Sequence, residues 1–285
     1  MKNYINGNVV GNVVTTSAIS ASGVWGLDLV YNNLKTLSFP GAIGTTSANA
    51  ATSAAALVAA GGTVDGVYWI NLPTVGPTQC YCLLNPAWNG GGYMMALKAT
   101  TGSTFNYSSS YWNSNNTLNT TSLDQSNSDA KLNVYNYYSG TDLLARFPDI
   151  TTIGGSFVNP VGGWVISEPN ALKLYNGSAT TCLNFWSSIG MTASTNYSAK
   201  GTQWGGGSIF SSQAGYQFYG FNYNGNSSNC ARWGWGWNNE TDQASNDVTS
   251  GIGLNRANYS AGDYIACCAD YSGLNRSMRV EIYVR

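Results

Sequence analysis

The chain has 285 residues, 43% of them hydrophobic but only 9% charged, with a net charge of −1 and no histidine. A charge this close to zero argues against a nucleic-acid partner, because nothing would neutralise a run of phosphates. The absence of histidine removes Ser-His-Asp, Cys-His and HExxH chemistry together.

The length suits one large domain with appendages, or two domains. Glycine, serine, threonine and asparagine stand where charge is missing, beside 19 Tyr and 10 Trp. Such a surface is polar by hydroxyl and amide, as in extracellular β-rich proteins, fibres and carbohydrate-binding surfaces. The opening MKNYINGNVVGNVVTTS has one lysine and no apolar core, so it does not read as a secretory signal. Release by lysis or within a particle is the expectation. No apolar run reaches the roughly 18 residues that span a bilayer, so membrane insertion is not expected.

Residues 1–42 are β-rich in tone. Residues 20–40 are too short to bury a core of their own yet carry Trp25, Leu27, Leu29, Tyr31 and Phe39, which reads as an extended arm that docks onto something else. Residues 43–62 are Ala-dense and predict a short helix over 45–60, with Ser47 as N-cap and Gly61-Gly62 at its end; a small-residue linker is the alternative. Residues 63–285 form the body. GVYWINL, QCYCLLN and GGGYMMALKA read as short strands split by Gly and Pro. Residues 129–149 fit neither period cleanly, and 142–146 predict the start of a short helix ended by Pro148. Residues 162–166 read as a strand, the chain then turns irregular towards Tyr223, and residues 216–221 lead into a tryptophan strand. Residues 279–285 close as an alternating strand. The fold class is α+β and β-rich.

The stretch from Arg232 to Asp247 concentrates the chemistry. Trp233, Trp235 and Trp237 alternate with Gly, which places three indoles on one face of a strand. They read either as core or as a platform for sugar rings, and Trp237 is the one placed nearest a ligand. Asn238, Asn239, Glu240, Asp242, Asn246 and Asp247 follow. These are the hard oxygen donors that Ca²⁺ takes, although the spacing is not that of an EF-hand. The alternative is a turn whose side chains cap their own backbone. Tyr271 and Asn275 are further ligand candidates, and Asp263 adds a carboxylate or caps a turn. Asp142, Asp149, Glu168, Glu240 and Asp247 sit in no hydrolase motif, so no catalytic activity is expected. Cysteines stand at 80, 82, 182, 230, 267 and 268. The close pairs cannot bridge comfortably, which leaves thiols, long-range disulfides or, if all converge, zinc.

Three resemblances bear on these residues. ASGVW-x-L-x-x-VY, at residues 21–31, is similar to a stretch in structural proteins of tailed bacteriophages that precedes a variable distal domain. Gly66-Val67-Tyr68-Trp69-Ile70, Tyr81-Cys82, Gly90-Gly91-Gly92-Tyr93, Leu97-Lys98, Phe105 and Trp112 together resemble the opening of fibrinogen-like domains, with Tyr93 where that family has Trp. Asn238-Asn239-Glu240 and the ending Tyr283-Val284-Arg285 resemble intelectins of the same wider family. The likeness implies a non-catalytic, loop-rich distal domain with a small central sheet. It also implies structural calcium at Asn239 and Glu240, and a second calcium that holds a sugar diol between aromatic walls; the sugar-binding His of intelectins has no counterpart.

The expectation is therefore a bacteriophage virion protein of tail-fibre, spike or head-decoration type, assembled in the bacterial cytoplasm. Residues 1–42 would contact other virion proteins, and the distal domain would bind host-surface glycan with calcium. Weak single sites call for avidity, hence a homo-oligomer such as a trimer. A purely structural decoration protein is the alternative.

Overall fold

A computed structural model describes residues 4–5, 8–9, 43–150, 164–174, 180–188, 216–224, 229–238, 240, 246–266 and 275–285. The chain divides into two units, Met1–Ala42 and Ile43–Arg285. In the first, β1 (Tyr4–Ile5) and β2 (Asn8–Val9) pair antiparallel. Residues 20–40, expected to form an arm, lie outside the described residues.

The second unit is β-rich, with antiparallel sheets and short helices. Its larger sheet has seven strands: β3 (Gly66–Leu72), β4 (Gly76–Leu83), β5 (Tyr93–Ala99), β6 (Ala130–Lys131), β7 (Leu143–Phe147), β8 (Trp164–Glu168) and β13 (Val280–Val284). The order is β3-β4-β5-β13-β7-β8, with β6 alongside β5. The last strand thus sits mid-sheet, between β5 and β7. A second sheet of four strands is a meander in the order β12-β11-β10-β9: β9 (Tyr216–Asn224), β10 (Cys230–Asn238), β11 (Val248–Leu254) and β12 (Ala261–Ile265). The body therefore rests on two sheets rather than one small one.

Both faces of the seven-stranded sheet are covered near its middle. Met94, Ala145, Phe147, Val280, Ile282 and Val284 face the main core, while Tyr93, Met95, Leu144 and Tyr283 join Leu83, Trp88, Ala130 and Leu132 in a second cluster on the other side. Full burial of a large apolar side chain is worth about 1.5–3 kcal/mol, so β7 gains on both faces. That double burial corrects the expected helix at 142–146, where LLARF is a central strand. A short, mostly apolar run such as this, interrupted only by Arg146, matches a strand covered on both sides as well as it matches a helix. The nearby helix is α2 (Asn133–Tyr137) instead. Further on, α3 (Ala171–Leu174) and α4 (Cys182–Ser187) interrupt the stretch expected to be irregular.

The Ala-rich segment is also shorter in helix than expected. Ser47 lies in a 3-10 turn, Ser47–Asn49, and the α-helix α1 covers only Ala54–Ala59, with Ser53 Oγ accepting from Ala56 N at 3.1 Å. The cause is the sheet edge: Ala51 N donates to Trp69 O and Ala51 O accepts from Asn71 N, which holds residue 51 extended against β3. The C-terminal end agrees with expectation. Gly61, at φ +92°, donates to Val58 O and Gly62 donates to Leu57 O, a Schellman closure.

The glycine triplet has a backbone cause. Gly90, Gly91 and Gly92 all have positive φ, and a Cβ on Gly91 would lie 2.5 Å from Leu84 O. Asp65 braces the same turn, accepting from Leu84 N, Asn85 N and Trp88 Nε1 at 2.7, 2.8 and 2.6 Å.

Candidate functional site

The tryptophan strand β10 lies inside the four-stranded sheet, paired on both sides. Trp233, Trp235 and Trp237 share a face as the period of two requires, and all three are at most 1% exposed. Phe221 on β9 stacks on Trp233 with centroids 5.4 Å apart, and Phe185 of α4 meets Phe221 edge-on at 4.3 Å. The stripe is core. Trp237, the candidate ligand contact, is wholly buried, so it presents no flat ring to a sugar.

On the opposite face, Gly234 and Gly236 leave the backbone bare. A Cβ on Gly234 would fall onto Ser250 O, so the small residues permit close strand approach. Thr249 pairs with Gly236 and Val248 with Trp237 across the ladder, and that register carried one residue past Trp237 sets Asn238 opposite Asp247. Both are buried, as are Asn246 and Thr249. Asp247 N donates to Trp237 O and its carbonyl accepts from Ala266 N. Asn238, Asn246 and Asp247 are the buried members of the expected metal loop among the described residues, and Thr249, which was not expected there, lies beside them. Glu240 is exposed, while Asn239 and Asp242 lie outside the described residues.

Two features bear on whether this end suits a hard cation. Asn238 Oδ1 accepts from Glu240 N at 3.3 Å, the self-capping turn that was the alternative reading. Against that, the Asn246 amide and Thr249 Oγ are buried with no hydrogen-bond partner among the described residues, and a buried polar group left unpaired is costly. Amide and hydroxyl oxygens beside the Asp247 carboxylate are the donor chemistry that calcium takes. Among the described residues no three Cys, Asp or Glu side chains converge.

The remaining candidates have structural partners. Asp263 holds Arg276, accepting from its backbone N at 2.8 Å and its Nε at 2.7 Å. Burial pushes the Asp263 carboxyl up, with the guanidinium pulling the other way, so desolvation outweighs the pair. Asn275 Oδ1 accepts from Ile265 N at 2.7 Å, which ties residue 275 to the end of β12. Tyr271 lies outside the described residues. No family model matches the chain. No curated protein does either.

Glu168, one of the acidic groups considered for catalysis, holds the fold, as do Glu281 and Asp124. Tyr219 donates to Glu168 Oε2 at 2.6 Å and accepts from Trp233 Nε1, which links β8 of one sheet to β9 and β10 of the other. Glu281, fully buried, binds Arg146 at 3.2 Å, Arg279, and the Tyr283 hydroxyl at 2.8 Å. Asp124 receives Lys98 Nζ at 2.6 Å, and that bond holds its carboxyl well below the usual range. Cys80, Cys82 and Cys182 are buried free thiols, and Cys230 is buried as well.

Trp69, noted in the sequence only as part of the fibrinogen-like resemblance, was not among the ligand candidates. Of the eight described tryptophans, Trp69 alone is not buried; the others are at most 2% exposed. The available signal was its place on β3, where Tyr68, Ile70 and Leu72 face the core and Trp69 shares the other face with Asn71.

Proposed function

We propose that the chain is a non-catalytic virion protein of a bacteriophage, whose fibrinogen-like body binds host-surface glycan with calcium at the end of β10. Residues 1–42 attach it to other virion proteins, and copies assemble into a homo-oligomer that multiplies weak sites. The observation that carries the non-catalytic, recognition-type reading is the use of carboxylates. Asp65, Asp124, Asp142, Glu168, Asp263 and Glu281 each brace a turn, a strand or an ion pair, leaving a surface polar by amide and hydroxyl. The glycine triplet and the closing strand, both part of the fibrinogen-like resemblance, have clear physical roles here, which supports that kinship.

Calcium, when bound, would join loop oxygens and order the end of β10. Asn246, Asp247 and Thr249 would hold it together with Asn238, and Glu240 would reach it from the exposed side.

The test is immunogold labelling of intact particles from the producing lysate, with antibody against residues 63–285. Label at tail tips or fibres is the result expected of an adhesin. Label spread over heads would favour the purely structural decoration role, and no label on any particle would overturn the virion assignment.

A further inference from the structure

The β3–β4 hairpin has one face in the main core and one in the open. Tyr68, Ile70, Leu72, Cys80 and Cys82 pack inward. Across the ladder Val67 pairs with Tyr81 and Trp69 with Gln79, so these four share the outer face with Asn71. Val67 is 42% exposed, Gln79 and Asn71 are exposed, and Trp69 and Tyr81 are part-exposed. Trp69 belongs to neither core cluster, whereas Tyr81 leans on the second. Among the described residues no hydrogen bond or ring contact engages the Trp69 indole, and the side-chain amides of Asn71 and Gln79 and the Tyr81 hydroxyl have no hydrogen-bond partner.

The chemistry of this face is narrow. Residues 66–83 contain no Asp, Glu, Lys or Arg, and the carboxylate of Asp65 is held by Trp88 and the following turn. Burial pushes the Tyr81 phenol up to about 12, so it is a neutral donor. An uncharged strip with a flat indole, a phenol and two amides at strand spacing matches a neutral sugar ring: its C–H face lies on the indole and its hydroxyls meet the amides. The charged groups nearest Tyr81, which are Asp65, Glu281 and Arg146, are already engaged with the adjoining turn or with one another.

We propose that the outer face of this hairpin, with Trp69 as the stacking ring and Asn71, Gln79 and Tyr81 as hydrogen-bonding groups, is a binding site for neutral glycan. The proposal deepens the glycan-recognition reading and rests on it, but places a site on a different strand from the calcium loop. Trp69 contributes to neither core, so its removal leaves the fold intact.

The test is affinity electrophoresis of the full 285-residue chain through gels holding dextran, mannan or hydroxyethylcellulose, with hyaluronan as the acidic comparator. The wild type is retarded by at least one neutral polymer, and Trp69→Ala weakens that binding about tenfold with an unchanged melting temperature. Gln79→Ala and Tyr81→Phe weaken it less and carry the test should Trp69→Ala lose its fold. Unchanged retardation of the Trp69 and Gln79 variants would overturn this site while leaving glycan recognition standing. No retardation of the wild type in any neutral gel, or retardation by hyaluronan alone, would overturn both.

Discussion

Arg285 donates from Nε and Nη2 to Asp142 Oδ2, at 3.1 and 2.7 Å, and so ties the last residue of the chain to the start of β7. The backbones are bonded too, since Arg285 N donates to Asp142 O while Arg285 O accepts from Thr141 N and Asp142 N. Arg285 Nη1 then reaches Asn89 O and Gly91 O at 3.0 and 2.8 Å, with the guanidinium 4.4 Å from the Tyr93 ring centroid. One side chain therefore joins the closing strand, the glycine turn and β7. Hydrogen bonds to charged groups are worth about 1.5–3 kcal/mol. Arg285→Ala should lower unfolding stability by about 2–3 kcal/mol in urea titrations, and Asp142→Asn by less.

The glycine turn yields a graded pair. Gly61 and Gly91 both have positive φ, but a Cβ at Gly61 meets nothing within 4 Å, whereas at Gly91 it strikes Leu84 O. Gly61→Ala should cost about 1–2 kcal/mol through backbone conformation alone. Gly91→Ala should cost clearly more, read from the same titration.

The thiols should be silent until the chain unfolds. Burial pushes Cys80 and Cys182 up to about 12 and Cys230 up to about 11, and holds Cys82 well above its usual value. Thiolate is the reactive form. At pH 8 a native sample should therefore label at no more than two of the six cysteines, those at 267 and 268, while all free thiols react in denaturant.

Lys131 sets a pH dependence with a definite sign. Its Nζ is fully buried, donates to Tyr111 O at 2.6 Å and to Ser114 O, and sits 4.4 Å from the Tyr135 ring centroid. Burial lowers its pKa from 10.5 to about 8. Between those values the unfolded chain binds more protons than the folded one, so stability rises with pH. The burial cost is fully present below about pH 8 and is relieved above it. Relative to Lys131→Met, the wild type should gain melting temperature between pH 8 and 10; a flat difference would contradict this.

Calcium predicts a chelator effect with a mutational signature. EDTA should lower the melting temperature of the wild type by about 3 °C or more, and Glu240→Ala should blunt that response. Equal melting temperatures with calcium and with EDTA would leave the loop as a self-capping turn.

Much of the strand pattern could be read in advance because alternation reports burial directly. GVYWINL, the tryptophan strand and the closing VEIYV all lie where their periods put them. The helix cap at Gly61-Gly62 was equally plain, since positive φ narrows the choice of residue. Leu143–Phe147 misled because a mostly apolar run with Arg146 inside it, ending before a proline, carries no clear period. Ser47 misled because the true cap, Ser53, depends on Ala51 first joining the edge of β3, a long-range contact. Alternation showed that the tryptophans at 233, 235 and 237 share a face, but not that α4 and β9 cover it. Trp69 was not singled out as a ligand contact for the converse reason: only the packing of its neighbours shows that its own face is bare.

Binding of the intact chain to a surface-glycan array, in calcium and in EDTA, tests the central claim most directly. Retention on neutral glycans, stronger in calcium and strengthened by multimerising the chain, is the result expected of a virion adhesin. Absence of retention on every glycan in both buffers would contradict glycan recognition and leave a structural role.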